Sequence, residues 1–337
     1  MPTDYIIFIH GVNTRQKARF QQAAEILFKR IQSSVNDPSR VIKPVYLFWG
    51  NVGEDGTKTL LSGLDSSSKW RKSWFQKFRT EQILPFVGDA ALYLSRGVSA
   101  QVVRQITDQA LCQMGLDREK LTSLDGNDRL HLVTHSWGTV ILFDILFAPR
   151  WETADLDPSI RQNIMNIRTG FFGLGSDANK NFGIPIASIH TMGSPIALFS
   201  LINLNNGRSF DLTPNLKLML ESLYQKTKGR PLPWLNYVHP GDPIAYTLEG
   251  VMPLLLQHDS DKVKIEDVMT TGNPWMQPFS QTLLPLINGG KAHGSYWASQ
   301  KVANEIAQVI ASAGSLYSSS ESNPWMPDKT AAGAKIV

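Results

Sequence analysis

Cysteine is almost missing from this chain: Cys112 is the single example among 337 residues. One cysteine excludes an intramolecular disulfide, and such usage is typical of proteins that fold in a reducing compartment. Cys112 falls inside the helical pattern "QVVRQITDQALCQM". We therefore expect its side chain to be a small buried group of the core and not a catalytic nucleophile.

Long apolar runs are missing as well. No stretch approaches the roughly 20 apolar residues that a membrane-spanning helix needs. The opening "MPTDYIIFIHGVN" has no basic start, only a short apolar run and no small-residue cleavage site, which excludes the pattern of a secretory signal peptide. We therefore expect a cytoplasmic protein, for which any membrane contact would be peripheral.

Neither charge sign dominates, and the motifs that bind nucleotides or zinc are absent. Lys and Arg number 33 against 29 Asp and Glu, a net charge of +4, and the basic residues are scattered except over 68–86. This distribution excludes the basic surface of a nucleic-acid-binding protein. The sequence has no P-loop, no G-x-G-x-x-G after a predicted strand and no Cys/His cluster. We expect no cofactor, no metal and no nucleic-acid partner.

What the sequence does contain is an alternation of apolar strand patterns and amphipathic helix patterns. This alternation is typical of an α/β fold with an open, mostly parallel, doubly wound sheet. Strands are predicted over 4–10, 41–50, 129–135, 186–193 and 233–240, and helices over 19–32, 137–147 and 296–313. We expect one domain over 1–314, with a helical cap inserted at 51–125, a second insertion at 200–232, and a polar tail at 315–337.

The segment "LHLVTHSWGTVILF" places a serine between a buried strand and a buried helix. A tight turn there would hold the hydroxyl of Ser136 above the sheet at the positive end of a helix, as in a nucleophile elbow. Gly138 would let the start of the helix pack against the strand. The first glycine of the usual G-x-S-x-G spacing is Thr134 here. The alternative is that Ser136 only caps a helix.

A serine hydroxyl needs a base and an orienting acid, which in this architecture follow it in the order acid, then histidine. His293, in the glycine-rich "GGKAHGSYW", precedes the last predicted helix. Asp242, in "NYVHPGDPIAY", follows a predicted strand inside a Pro-Gly-Asp-Pro turn. We therefore predict a triad of Ser136, Asp242 and His293. The alternatives are a turn-capping aspartate and a histidine that merely precedes a helix.

Other histidines and carboxylates compete for these roles. His135 neighbours the serine and should point away from it, while His239 lies within the turn of the acid itself. His258 follows Asp242 but lies in a segment that resembles a surface loop. The remaining candidates are two histidines in predicted buried strands and two fallback acids: His131, His190, Glu249 and Asp267.

An oxyanion site is predicted after the first strand, in "FIHGVNT". Gly11 permits a sharp turn there. The backbone N–H of Val12 would then act together with the N–H of Trp137, the residue after the nucleophile. His10 and Asn13 are expected to brace this loop through hydrogen bonds.

The sequence resembles the serine-esterase branch of the α/β-hydrolase fold, and within it the DDHD-domain intracellular phospholipases. The resemblance rests on "LVTHSWGTVI", "TMGSPIALF", "NYVHPGDPIAYTLE" and "HGSYW", with a weaker similarity in "VGDAALYL". It covers about half of the chain in separate blocks. It implies hydrolysis of an ester of a lipid or another acyl substrate by a Ser–His–Asp triad without a metal. A thioesterase, an amidase, an acyltransferase or a catalytically silent binding module are the alternatives.

A basic aromatic segment, "SKWRKSWFQKFRTEQILPF" at 68–86, bears on the substrate. Trp70, Trp74 and Phe78 would share one face of a helix, surrounded by lysines and arginines. Such a helix could lie on an anionic membrane surface and act as a lid over the site. The alternative is that the aromatic face packs on the body of the protein.

Overall fold

The computed structural model describes residues 1–35, 37–72, 74, 76, 79–116, 128–168, 183–199, 212–270 and 290–317. Within these ranges, one sheet contains six strands in the order β2-β1-β3-β4-β5-β6, and every neighbouring pair is parallel. The strands are β1 (Thr3–Ile9), β2 (Val41–Leu47), β3 (Arg129–His135), β4 (Ile186–Met192), β5 (Leu232–Val238) and β6 (Val263–Met269). The predicted α/β class with a parallel sheet is confirmed, and β6 is an addition to it.

Helices connect the strands and cover the sheet. The α-helices in the described ranges are α1 (Lys17–Ser34), α2 (Glu54–Asp65), α3 (Leu84–Leu94), α4 (Arg96–Met114), α5 (Trp137–Phe147), α6 (Pro158–Asn166), α7 (Thr213–Lys226), α8 (Met252–Leu256) and α9 (Gln300–Tyr317). None of these helices is both long enough and apolar enough to cross a bilayer.

The two faces of the sheet have separate cores because successive side chains of a strand point to opposite faces. Ile6 and Phe8 of β1 pack in one cluster with residues of α1 and α9. Ile7 and Ile9 pack in the other cluster with residues of α4, α5 and α7. β1 is buried on both faces, as the sequence indicated by its apolar run from Tyr5 to Ile9.

The strand order places a switch point between β1 and β3. The chain leaves β1 through α1 on one face and leaves β3 through α5 on the opposite face. In open α/β sheets, ligands bind in the crevice that this divergence opens at the carboxyl ends of the strands. The loops after β1 and β3, which begin at His10 and Ser136, border this crevice.

The outer edge of β2 is covered by glutamine side chains of α4. Gln113 donates to the carbonyl of Tyr46 at 2.9 Å and accepts its N–H at 2.9 Å. Gln109 does the same for Phe48, at 2.8 and 2.7 Å. Each carboxamide thereby imitates the backbone of a further strand. These bonds satisfy an edge that would otherwise offer unpaired N–H and C=O groups to another chain.

The expected burial of Cys112 was wrong, since its side chain is exposed. Leu111 and Met114 of α4 face the core, and Gln113 faces the edge of β2. These positions leave Cys112 on the solvent side of the helix. The apolar spacing of the sequence predicted the helix correctly, but it did not indicate which side of the helix packs against the sheet.

The predicted cap range, 51–125, contains α2, α3 and α4. Of these, α4 packs on the sheet with the core residues and precedes β3, so it also serves as part of the β2-to-β3 connection. The predicted insertion at 200–232 contains α7, which likewise contributes buried residues to the sheet core. Residues 117–127, 200–211 and 318–337 lie outside the described residues. The extents of the domain, the cap and the tail stay predictions.

A chain of buried polar side chains crosses one face of the sheet. Arg40 binds both carboxylate oxygens of Asp4, the shorter contact being 2.5 Å. His131 Nε2 lies 3.4 Å from Asp4, and its Nδ1 lies 2.7 Å from the hydroxyl of Ser188. That hydroxyl lies 2.8 Å from Nε2 of His190. His131 and His190 are thus satisfied core residues in strands, as predicted.

Candidate active site

Ser136 occupies the turn between β3 and α5 in a strained backbone conformation. Its φ is 55° and its ψ is −132°, while its N–H donates to the carbonyl of Met192 at 2.9 Å. A positive φ costs a non-glycine residue on the order of 1–3 kcal/mol and is found where the surrounding structure enforces it. The residue is 1% exposed. Its Oγ has no hydrogen-bond partner among the described residues, which is unusual for a buried hydroxyl.

The neighbours of Ser136 explain how the chain forms this turn. A Cβ on Gly138 would lie only 2.4 Å from the carbonyl oxygen of His10, so α5 can begin this close to β1 only with glycine there. Thr134, at the position of the usual first glycine, is buried, and its hydroxyl lies 2.7 Å from that of Thr139. The larger side chain is accommodated because a small hydroxyl-bearing residue on α5 pairs with it.

The loop after β1 lies directly against the serine. A Cβ on Gly11 would lie 2.5 Å from Cβ of Ser136 and 2.8 Å from its Oγ. His10 braces the turn: its Nε2 accepts the N–H of Trp49 at 3.1 Å, so its Nδ1 carries the proton and donates to the carbonyl of Gly11 at 2.6 Å. Burial lowers the pKa of His10 to about 3, against the opposing effect of the Gly11 bond, so the ring is neutral.

The two backbone amides predicted to bind an oxyanion adjoin this contact in the sequence. Trp137 is the first residue of α5, where N–H groups point out of the helix and attract an anion. Val12 follows Gly11, and within the described part of the chain its N–H donates no hydrogen bond. Asn13 acts through its backbone: its φ is 58° and its N–H donates to the carboxylate of Asp89 at 2.8 Å.

Asp242 and His293 are hydrogen-bonded. His293 Nδ1 lies 2.9 Å from Oδ2 of Asp242, and that oxygen also accepts the hydroxyl of Tyr296 at 2.8 Å. The other carboxylate oxygen accepts the N–H of Ile244 at 3.0 Å. Burial by itself raises the pKa of Asp242, but the bonds from His293, Ile244 and Tyr296 outweigh it and lower the pKa overall. A charged Asp242 fixes the proton of His293 on Nδ1 and leaves Nε2 as the basic atom.

Gly193 makes room for this pair, although the sequence analysis did not single it out. It follows β4, has a φ of 55°, and its N–H donates to the carbonyl of Tyr237 at 3.1 Å. A Cβ there would lie 2.7 Å from Oδ2 of Asp242 and 3.1 Å from Nδ1 of His293. A glycine directly after a buried strand, in "TMGSP", is the signal that could have indicated it.

His135 is a second residue whose role the sequence did not indicate. Its ring centroid lies 4.6 Å from that of His293, and its Nε2 lies 2.7 Å from the carbonyl oxygen of His293, which can only accept. His135 therefore donates this bond. Burial first, and then the charge of His293, lower the pKa of His135 to about 3. This neutral side chain holds the backbone of His293 beside the strand end that carries Ser136.

One contact of the predicted triad is not made. The structure joins Asp242 to His293, and it joins His293 to His135, the residue before Ser136. It does not join the imidazole of His293 to the hydroxyl of Ser136, because that hydroxyl has no hydrogen-bond partner within the described ranges.

The competing side chains are engaged elsewhere. Asp267 accepts the N–H groups of Leu248 and Glu249, at 2.9 Å each, and Glu249 accepts the N–H of Asp267 at 2.7 Å. These two acids therefore hold each other's backbone. His258 is exposed on a short 3₁₀ helix, and Nδ1 of His239 accepts the N–H of Gly241.

Among the residues that the structure describes, no group of three or more His, Cys, Asp or Glu side chains is arranged to hold a metal ion. No protein-family model matches the sequence, and no curated protein matches it significantly, so the interpretation of the site depends on its own geometry.

Proposed function

We propose that the protein is a serine hydrolase of the α/β-hydrolase fold that cleaves carboxylic esters through an acyl-enzyme. One observation carries the proposal: a buried serine hydroxyl, without a hydrogen-bond partner among the described residues, lies on a strained strand-to-helix turn. The same carboxyl edge of the sheet bears a hydrogen-bonded Asp–His pair. A helix cap would not need the strain, and a purely structural serine would satisfy its hydroxyl.

In the first half of the reaction, Nε2 of His293 takes the proton of Ser136 while Oγ attacks the carbonyl carbon of the ester. The negative charge that develops on the carbonyl oxygen is held by the N–H groups of Val12 and Trp137. Each such donor contributes on the order of 10²–10³ in rate. Asp242 stabilises the imidazolium, which then protonates the departing alcohol as the C–O bond breaks.

In the second half, water attacks the acyl-enzyme. His293 removes a proton from this water, the same two amides hold the second tetrahedral intermediate, and the proton passes to Oγ of Ser136 as the acid product leaves. The low pKa values of His10 and His135 keep these neighbours neutral near pH 7. They therefore do not compete with His293 as proton carriers.

The proposal requires the Ser136–His293 hydrogen bond to form when substrate binds. Catalytic hydrogen bonds are often longer or absent without substrate and tighten in the complex. The same missing bond is the observation that favours the second candidate function, a hydrolase fold that binds a ligand without catalysis. The experiment below separates the two.

An apolar acyl group is the substrate class that the surroundings support. Leu198 follows β4 and Tyr246 follows Asp242, and both large side chains are more than two-fifths exposed. Leu254 on α8 is 76% exposed. Exposed apolar groups on loops that leave the carboxyl edge of the sheet would contact an acyl chain, and lipids are the acyl esters with the longest chains.

The membrane contact proposed for 68–86 has partial support. Trp74 is 79% exposed, and the basic residues Lys72 and Arg79 are exposed as well. The segment is not one continuous α-helix, since Trp70–Lys72 is a 3₁₀ turn and Arg79–Ile83 a π-helical turn. Phe78 lies outside the described residues. Trp74→Ser should therefore weaken co-sedimentation with vesicles that contain phosphatidylserine, and not alter hydrolysis of a soluble short-chain ester.

A fluorophosphonate probe tests the proposed function, because it phosphonylates only a serine that a base activates. We expect wild-type protein to be labelled at Ser136, as located by mass spectrometry, and Ser136→Ala to be unlabelled but equally stable. Labelling also requires the base, so His293→Ala should remain unlabelled. Folded wild-type protein that shows neither labelling nor ester hydrolysis would establish the silent function instead.

A substrate panel then defines the reaction. We expect turnover of p-nitrophenyl esters to rise with acyl length from acetate to octanoate, because longer chains bury more apolar surface. The panel also contains thioesters, amides, and an alcohol that can accept the acyl group in place of water. A preference of 100-fold or more for any of these substrates would identify a thioesterase, an amidase or an acyltransferase on the same triad. Such a ratio corresponds to a difference of about 3 kcal/mol in transition-state binding.

A further inference from the structure

A buried carboxylate on α3 holds the loop that carries one of the proposed oxyanion donors. Asp89 is 2% exposed, and its Oδ2 accepts the backbone N–H of Asn13 at 2.8 Å. Its Oδ1 accepts Arg15 at 2.6 Å. Asn13, with a φ of 58°, is the residue after Val12. The carboxylate therefore binds the peptide group that joins Val12 to Asn13, adjacent to the proposed donor itself.

The loop is also held from the other side. Arg15 donates its second Nη to the carbonyl of Gly50 at 3.0 Å. A Cβ on Gly50 would lie 1.6 Å from the carbonyl oxygen of Thr14, so the chain after β2 touches the loop backbone directly. The segment from Gly11 to Arg15 is thus fixed between β2 and α3. Among the described residues, Asp89 is the carboxylate that accepts a backbone N–H of this segment.

We propose that Asp89 is a positioning residue that aims the Val12 amide at the developing oxyanion. This inference rests on the proposed function. An oxyanion donor is effective only when it is held within a few tenths of an ångström of its position, because a misplaced dipole loses most of its stabilisation. A carboxylate is a stronger acceptor than a neutral oxygen, and it can offset the strain at Asn13.

A neighbouring residue on the same helix provides the matched control. Tyr93, one turn after Asp89, is also buried, and its hydroxyl donates to Asp144 at 2.7 Å. Asp144 lies on α5 and is also bound by Arg150 at 2.7 and 2.6 Å. The hydroxyl of Tyr93 thereby fixes α3 to α5, and both of its hydrogen bonds go to α5. Tyr93→Phe should lower stability but leave the oxyanion donors in place.

The experiment compares Asp89→Ala, Asp89→Asn and Tyr93→Phe in the full chain. It measures kcat and KM for p-nitrophenyl butyrate, the rate of fluorophosphonate labelling and the melting temperature.

We expect Asp89→Ala to lower kcat and the labelling rate by about 10- to 100-fold with KM within about two-fold, because donor placement matters most in the transition state. Asp89→Asn keeps an acceptor oxygen for Asn13, so its kcat should fall only about two- to ten-fold. Tyr93→Phe should keep kcat within about two-fold despite a lower melting temperature.

The outcomes separate this inference from the proposed function. Wild-type protein without activity or labelling would remove both. Active wild-type protein with an unchanged kcat in Asp89→Ala, or an equal loss of kcat in Tyr93→Phe, would overturn the role of Asp89 alone. Should Asp89→Ala fail to fold, the near-isosteric Asp89→Asn decides: a kcat equal to wild type would overturn the proposal, and a reduced kcat at unchanged KM would support it.

Discussion

Gly11 and Ser136 are packed so closely that a methyl group on the glycine would lie 2.8 Å from the hydroxyl oxygen of the serine. The loop after β1 and the turn after β3 therefore touch at the atom proposed as the nucleophile. This proximity gives the first prediction. Gly11→Ala should lower kcat by at least about 100-fold, because the added Cβ must push the loop after β1 or the serine away. Esterase assays on the folded variant, checked by circular dichroism, measure this.

Gly97→Ala is the control for that experiment. Gly97 lies near the start of α4, and a Cβ there would meet nothing within 4 Å. It should leave kcat unchanged and stabilise the protein by up to about 1 kcal/mol, since alanine favours a helix. Full activity in Gly11→Ala would show that the loop after β1 does not serve the reaction.

The choice of Asp242 over Asp267 as the acid predicts two different phenotypes. Asp242→Asn should lower kcat on the order of 10⁴-fold with little change in KM, because an amide cannot hold His293 with its proton on Nδ1. Asp267→Asn should instead lower the free energy of unfolding by about 1–3 kcal/mol, because one of its oxygens no longer accepts backbone N–H groups. Steady-state kinetics and urea unfolding of both variants measure these effects. The opposite pattern would transfer the acid role to Asp267.

Buried neutral histidines predict a loss of stability in mild acid. Burial lowers the pKa values of His10 and His135 to about 3, and it also lowers those of His131 and His190. Below about pH 6.5, where an unfolded histidine titrates, the unfolded chain therefore binds more protons than the folded one. The contribution of the neutral histidines to the free energy of unfolding is fully present above that pH and is lost as the pH is lowered towards 3. Each of His10 and His135 should contribute a loss of about 2 kcal/mol by pH 5.

Urea unfolding at pH 7.5 and pH 5.0 measures this loss. His258→Gln should show the same difference between the two pH values as the wild type, because His258 is exposed. Asp4, whose pKa is lowered to about 2 by bonds from His131 and Arg40 in spite of burial, should lose its contribution only below about pH 4. A free energy of unfolding that is equal at both pH values would contradict the prediction.

The glutamines on α4 predict that one substitution exposes the sheet edge. Gln109→Ala removes the acceptor of the Phe48 N–H and one of two donors to the Phe48 carbonyl, which Gln105 still binds at 2.8 Å. The substitution should lower the free energy of unfolding by about 1–3 kcal/mol and increase self-association. Gln101, on the same helix, is exposed, so Gln101→Ala should have neither effect. Chemical unfolding and light scattering provide the measurements. Equal behaviour of the two variants would mean that α4 does not protect β2.

Local sequence patterns predicted much of the sheet. Strands β1, β3 and β4 are short segments rich in apolar and β-branched residues, and such a segment needs no tertiary information to be recognised as a buried strand. β6, "VKIEDVM", was missed because it alternates charged and apolar residues at an edge, where only one side of the strand packs. The solvent-facing side of α4 was also predicted wrongly, because in the sequence the glutamines that bind the strand edge cannot be distinguished from ordinary surface residues.

In the candidate site, too, the sequence indicated some residues and missed others. Glycine next to a buried strand marked the turns at Gly11 and Gly138, because close backbone approach excludes a side chain whatever the distant partners are. The aspartate and histidine could be ordered along the chain from the architecture alone. Asp89, His135 and Gly193 were not identified, because their contacts join segments that are far apart in the sequence, such as Asn13 with Asp89.

The sequence by itself determined the parallel α/β sheet and the residues able to turn sharply at its carboxyl edge, because burial and backbone sterics are local properties of a chain. Only the tertiary structure decided which charged and polar groups meet there: the bond from His293 to Asp242, the support of His293 by His135, and the absent bond between His293 and Ser136. Hydrogen bonds depend on distances of a few tenths of an ångström, and those distances are set by packing across the whole fold.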